Sequence, residues 1–237
     1  MVWDHFSPRR QCLPSLGLAV LVLASCSTTP PTNLDDACII FEEKPDWYVA
    51  ASATERKWGT PVQLQLAIIR VESGFRDDAK PPHDTFLGVP VWWRLSNAYG
   101  YAQAKDETWD WYRTKTGNRW AGRNDFEDAS DFIGWYTDVS QRTLGISKWD
   151  PYNQYLAYHE GHAGWKRRTY LQKPSVMEVA RKVDGYTRTY GAQLRECRVR
   201  FDQRITGNEP ATQNGRAVLV SAGDDHSGST GRISHNR

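Results

Sequence analysis

A large net charge is missing from this chain: 30 Lys and Arg against 28 Asp and Glu leave a formal +2 over 237 residues. That excludes the electrostatic footprint of a nucleic-acid binder and suits a largely uncharged polymer as substrate. The apolar run Leu16–Ala24 is too short to span a bilayer as a stable helix. Neither an alternating strand pattern nor an internal repeat is present, which sets aside sheet-based and solenoid architectures. Methionine is scarce, at two, whereas Trp and Tyr stand at eleven each. Most of those rings belong in a core, but flat apolar faces with polar tips also suit the faces of sugar rings. What remains is helical, so the expected class is mainly α, in one compact domain once the chain ends are set aside.

The most informative segment is Pro61–Phe75, PVQLQLAIIRVESGF. Val62, Leu66 and Ile69 form one stripe at helical spacing, and Leu64, Ile68, Val71 and Phe75 a second, so the helix is apolar on most sides and central in a core. Thr60 is its expected N-cap, Pro61 its first residue and Gly74 its stop. Glu72 ends the apolar run. Burial and the carbonyl end of the helix both disfavour its charged form and raise its pKa, which suits a general acid near neutral pH. The alternative is a solvated carboxylate, or half of an ion pair with Arg70 or Arg76.

Further helices are predicted over about Asp46–Trp58, Asp106–Lys115 with Asp106 as cap, Asp125–Leu144, Asp150–His162 and Ser175–Cys197. Ser175 and Glu178 form a capping box at the start of the last. Asp77–Tyr101, with Pro81, Pro82 and Pro90, has no period and reads as a long loop walling a cleft.

At the N-terminus, Arg9 and Arg10 precede the short apolar run, as in a signal peptide. Leu23-Ala24-Ser25-Cys26 resembles a bacterial lipobox, which implies cleavage before Cys26 and lipidation of its thiol; Ser27 then favours the outer membrane. An ordinary cleaved signal is the alternative. Residues 1–25 are thus a lipoprotein signal peptide, 26–34 a polar tether, 35–204 the folded domain and 205–237 a disordered tail. With Cys12 lost and Cys26 lipidated, Cys38 and Cys197 are left to pair in an oxidising periplasm, or to remain as buried thiols.

Three motifs follow in order. Glu72-Ser73-Gly74-Phe75 resembles the E-S-x-F signature of soluble-type lytic transglycosylases, relatives of goose-type lysozyme. Gly100 and Gln103 in Tyr99-Gly100-Tyr101-Ala102-Gln103 match their G-L-M-Q segment. Ala157, Tyr158 and Gly161 match A-Y-N-x-G, with His159 where the family has Asn. The resemblance implies a lysozyme-like helical domain with few or no strands, acting on peptidoglycan glycan strands from the periplasmic face of the outer membrane. It implies cleavage of the β-1,4 bond between N-acetylmuramic acid and N-acetylglucosamine to 1,6-anhydromuramyl ends. Glu72 would be acid then base, and Ser73, Gln103 and Tyr158 would contact substrate or hold Glu72. Glu160 is either a second acidic group lining the cleft or a solvated helix residue.

No cofactor or metal is called for. His159-Glu160-Gly161-His162 differs from H-E-x-x-H in having its histidines three rather than four residues apart, and no third ligand is visible. The nearer rivals are a goose-type-lysozyme-like muramidase and a non-catalytic peptidoglycan-binding lipoprotein.

Overall fold

The computed structural model describes residues 28–207, apart from 87, 88 and 95. As expected, it is mainly helical. A short α1 (Ala37–Glu43) leads into α2 (Pro45–Trp58) and α3 (Val62–Glu72). An antiparallel hairpin follows, β1 (His83–Phe86) with β2 (Val89–Arg94), irregular between His83 and Thr85. Then come α4 (Asp106–Thr116), α5 (Phe126–Leu144), α6 (Pro151–Lys166), a 3-10 turn (Thr169–Gln172) and α7 (Pro174–Thr206).

Helix α3 is the axis of the core. Its residues Val62, Leu64, Leu66, Ala67, Ile68 and Ile69 are fully buried, and it lies along α7 while α2 lies along α5. Gln65, buried among them, has its polar ends satisfied across three elements. Its Nε2 donates to the carbonyls of Ala51 (3.1 Å) and Thr60 (2.8 Å), and its Oε1 accepts from Ser130 Oγ (2.7 Å). A buried amide so paired fixes how α2, α3 and α5 register on one another. Gly134 lets α5 approach α2, since a Cβ there would stand 2.5 Å from Thr54 Cγ2 and 2.7 Å from Trp58 Cδ1.

Several helix starts differ from expectation, two of them because tertiary contacts claim the capping side chain. Thr60 Oγ1 bonds Gly134 O (3.2 Å) and Thr137 Oγ1 (2.6 Å) on α5 instead of capping α3, whose N-cap is Pro61. Asp106 is the first residue of α4 rather than its cap, and pairs with Arg123 at 2.7 Å. The Ser175 capping box is not used: α7 starts at Pro174, whose ring presets the helical φ, and runs on to Thr206 before Gly207 ends it. Helix α1, not expected, is brief and capped by Asp36, which accepts from the amides of Cys38 (2.8 Å) and Ile39 (3.2 Å).

The segment expected as a tether lies against the domain from Thr28 onward. The Thr28 amide and hydroxyl donate to Asp77 Oδ2 at 2.8 and 3.1 Å, the Thr32 amide donates to Glu43 (2.9 Å), and the Tyr190 hydroxyl donates to the carbonyl of Leu34. Cys26, the signal segment and residues 208–237 lie outside the described residues. Among the described residues no helix is long and apolar enough to cross a membrane.

Cys38 on α1 and Cys197 on α7 are joined by a disulfide, with Cα atoms 6.1 Å apart and a sequence separation of 159. A crosslink closing so long a loop removes much of the unfolded chain's freedom. Replacing both cysteines by serine is expected to lower unfolding free energy by about 2–5 kcal/mol. Urea melts of both proteins under oxidising conditions check this; coincident midpoints would refute it.

Candidate active site

At the end of α3 the chain turns sharply. The Ser73 amide donates to Ile69 O (3.0 Å), and then Gly74 (φ 59°) and Phe75 (φ 61°) both take left-handed backbone. For Phe this costs about 1–2 kcal/mol. The ring is fully buried, stacked 5.8 Å from Trp47, which itself stacks on Phe126 at 4.2 Å and meets the edge of Tyr101 at 5.5 Å. Burying such a ring contributes about 2–3 kcal/mol, so the strained turn holds. It fixes the helix end, and with it Glu72, against a cleft of about 370 Å³.

Glu72 keeps some surface open to that cleft but is otherwise closely surrounded by protein. Burial raises its pKa from an ordinary 4.5 to about 7, against the opposing effect of a hydrogen bond from the Tyr155 hydroxyl. Neither suggested cation partners it: Arg70 pairs with Asp35 (2.8 Å) and Arg76 Nε donates to Ser73 O (3.4 Å). Tyr155 and Tyr158 have their pKa values pushed upward, first by burial and then by the Glu72 charge, so both remain hydroxyl donors at neutral pH.

The opposite wall is the Gly100–Gln103 loop. The Gly100 amide donates to Ala79 O (3.0 Å) and the Tyr101 amide to Arg123 O (3.1 Å). At Gly100 (φ 74°) a Cβ would stand 1.9 Å from the Arg123 carbonyl oxygen, so only glycine fits. Gln103 lines the cleft while its Nε2 braces the loop through Ala79 O (2.9 Å) and Gly100 O (2.8 Å). Ser96 and Ala98, from the segment expected to wall the cleft, do line it.

Helix α6 supplies the third side. The Tyr158 hydroxyl, expected to face Glu72 or an acetamido group, donates to Ala102 O (2.6 Å) and ties α6 to the loop. Tyr155, one turn earlier on the same face, meets Glu72 instead. It was missed because it lies outside the motif, although its i, i+3 spacing from Tyr158 is a usable signal. Ser73 Oγ donates back to Ile69 O (3.1 Å), a helix-end hydroxyl facing its own turn.

Glu160 lines the cleft with its carboxylate fully engaged. It accepts from Lys173 Nζ (2.9 and 3.1 Å), from the Thr169 hydroxyl, and pairs with His159 Nδ1 (3.0 Å). Burial alone would raise its pKa, but Thr169, Lys173 and His159 hold it down at about 2. Among the described residues lining the cleft, Glu72 and Glu160 are the only carboxylates, one pushed toward its acid form and the other held ionised.

Gly161 (φ 73°, ψ 159°) breaks α6 and sends the two histidines apart. His159 is exposed beside Glu160, whereas His162 stacks on Tyr136 (4.5 Å), contacts Ser140 Oγ (3.0 Å) and is held toward its neutral form by burial. Among the described residues no three His, Cys, Asp or Glu side chains are grouped to hold a metal.

A family model described as a transglycosylase SLT domain matches residues 15–197. The chain belongs to that family. No curated protein matches it. Membership of the transglycosylase SLT family makes this a peptidoglycan-acting domain of the lytic-transglycosylase type.

The raised pKa of Glu72 carries a stability signature. A carboxyl with a folded pKa of about 7 and an unfolded value of 4.5 stabilises the fold fully below pH 4.5, and that contribution is lost as pH rises through 7. Glu72→Gln does not titrate. Its stability relative to the wild type is therefore expected to improve by on the order of 3 kcal/mol between pH 4 and pH 8. Thermal melts across that range test the sign; a difference constant with pH would contradict it.

Proposed function

We propose that this chain cleaves the β-1,4 bond between N-acetylmuramic acid and N-acetylglucosamine, with Glu72 as acid and then base. In the first half, protonated Glu72 gives its proton to the bridging oxygen as the bond from C1 of the muramyl residue breaks, through an oxocarbenium-like state. In the second, the C6 hydroxyl of the same muramyl residue attacks C1 and ionised Glu72 takes the hydroxyl proton. The product is a 1,6-anhydromuramyl end, no water is consumed, and Glu72 is returned protonated.

One observation supports this best: the asymmetry of the two cleft carboxyls. Burial pushes Glu72 toward its protonated form, with a pKa of about 7, while Glu160 is tied to Lys173, Thr169 and His159. A hydrolase of the usual two-carboxylate kind wants a second carboxylate free to attack or to activate water. With Glu160 committed to its ion pair, the intramolecular hydroxyl is the available nucleophile. In this reading Gln103 offers its carbonyl oxygen Oε1 toward the sugar, its Nε2 being held by Ala79 O and Gly100 O, and Tyr158 positions the loop. Tyr155 steadies the ionised glutamate between the two half-reactions. The scheme draws on no metal or cofactor.

We place the enzyme on the periplasmic face of the outer membrane, lipid-anchored through Cys26, on the strength of the Leu23–Cys26 segment alone. Palmitate labelling of wild type and Cys26→Ala tests that assignment.

Glu72→Gln is expected to lower turnover of purified sacculi by about a thousandfold or more. Mass spectrometry of wild-type digests is expected to show anhydro ends; reducing ends would assign a goose-type-lysozyme-like muramidase instead, and no turnover by the wild type, with sacculus binding unaffected by Glu72→Gln, a glycan-binding lipoprotein. The kcat/KM of the wild type is expected to fall as pH rises through about 7, where Glu72 loses its proton. Tyr155→Phe removes the hydrogen bond that favours the ionised form, so its basic limb should move to higher pH. A limb that stays or moves down would overturn the role given to Tyr155.

A further inference from the structure

A second groove, of about 490 Å³, lies at the other end of the helices that build the active site. It is formed by Pro61 and Gln63 at the start of α3, Pro151 at the start of α6, the loop between α5 and α6, and one face of α7. Glu72 is at the far end of α3, about 15 Å away along an eleven-residue helix.

Its main feature is Trp149, which is 70% exposed. The segment that carries this ring is held in place. Gln154 Nε2 holds the loop through Ile146 O (3.1 Å) and Ser147 O (3.3 Å). Lys148 Nζ pins it to Asp138 (2.8 Å) and to the carbonyl of Trp58, and the Trp149 and Asp150 amides close turns on Ser147 at 3.1 and 3.0 Å. The backbone is thus fixed on both sides of an indole that faces solvent.

The charges around it are one-sided. Lys148 is cancelled by Asp138, and Arg188 by Asp184 at 2.7 Å. Arg195 donates only to Gly191 O of its own helix (3.3 Å), and among the described residues no carboxylate pairs with it. The groove therefore combines a rigid aromatic face with a surplus guanidinium. Sugar rings stack on the first, and a carboxylate is bound by the second.

We propose that this groove is a second peptidoglycan-binding site, in which a sugar ring lies on Trp149 and a stem-peptide carboxylate meets Arg195. It rests on the peptidoglycan substrate proposed above and extends it: the groove holds a stretch of polymer that the catalytic cleft does not. Its effect is to keep the enzyme on the insoluble wall between cuts.

Co-sedimentation of full-chain Glu72→Gln protein with purified sacculi tests this without turnover. Adding Trp149→Ala or Arg195→Glu is expected to weaken binding about tenfold. Trp120→Ala serves as control, because Trp120 is 96% exposed but lies outside the groove. In the active background, Trp149→Ala is expected to raise KM on sacculi and leave kcat/KM on short soluble glycans unchanged, with unaltered melting temperature. Unchanged sacculus binding in the Trp149 variant, an equal loss in the Trp120 control, or no binding by Glu72→Gln protein would each overturn the proposal. Failure of the catalytic reading shows separately, as wild-type protein that cuts nothing while Trp149→Ala still loses binding.

Discussion

The arrangement depends on a carboxyl kept away from water at the point where an apolar helix stops. Glu72 is there because α3 is buried on nearly every side and has to end inside the domain, not at its surface. The end is set by Phe75, whose buried ring holds two successive residues in left-handed backbone. The balance is favourable because the burial of an aromatic ring outweighs the strain at one residue. Without that turn the helix end would fray and Glu72 would become an ordinary carboxylate. The hydrogen bond from Tyr155 works in the opposite sense, so the glutamate sits near the midpoint of its titration and can both release and recover a proton.

Glu160 shows the converse use of the same chemistry. It too is shielded, yet three partners overcome the penalty of burial and hold it ionised. Two glycines make this possible. Gly161 turns the chain out of α6, and Gly164 admits the close approach of the following turn, since a Cβ there would lie 3.1 Å from both Glu160 Cβ and Thr169 Oγ1. A carboxylate locked to Lys173 and Thr169 is a poor acid and a constrained base, but a good fixed charge. It orients His159 at the cleft rim through Nδ1.

Much of this was legible in the sequence, for reasons that differ between elements. Helix α3 could be read because its burial is nearly complete, and the two apolar stripes record that directly. The class, the helices other than α1 and the position of Glu72 followed from periodicity. Helix starts were less legible: Thr60, Asp106 and Ser175 are all good caps in isolation, but the Thr60 hydroxyl is claimed by α5 and the Asp106 carboxylate by Arg123. The hairpin His83–Arg94 went unread because its strands are short, one contains Pro90, and neither alternates cleanly. Within the site, motif matching named residues more reliably than it named their contacts. Tyr158 serves the loop, Ser73 serves its own helix, and the contact to Glu72 comes from Tyr155.

His159-Glu160-Gly161-His162 makes the same point about glycine. On an unbroken helix, residues three apart share a face, and the pair would suggest a metal site. With Gly161 at φ 73° and ψ 159° they do not share one. His159 goes to the cleft rim and His162 into a stack on Tyr136. The residue that decides the chemistry of the segment is therefore the one with no side chain. It converts a run of possible ligands into a charged anchor on one side and a packing histidine on the other.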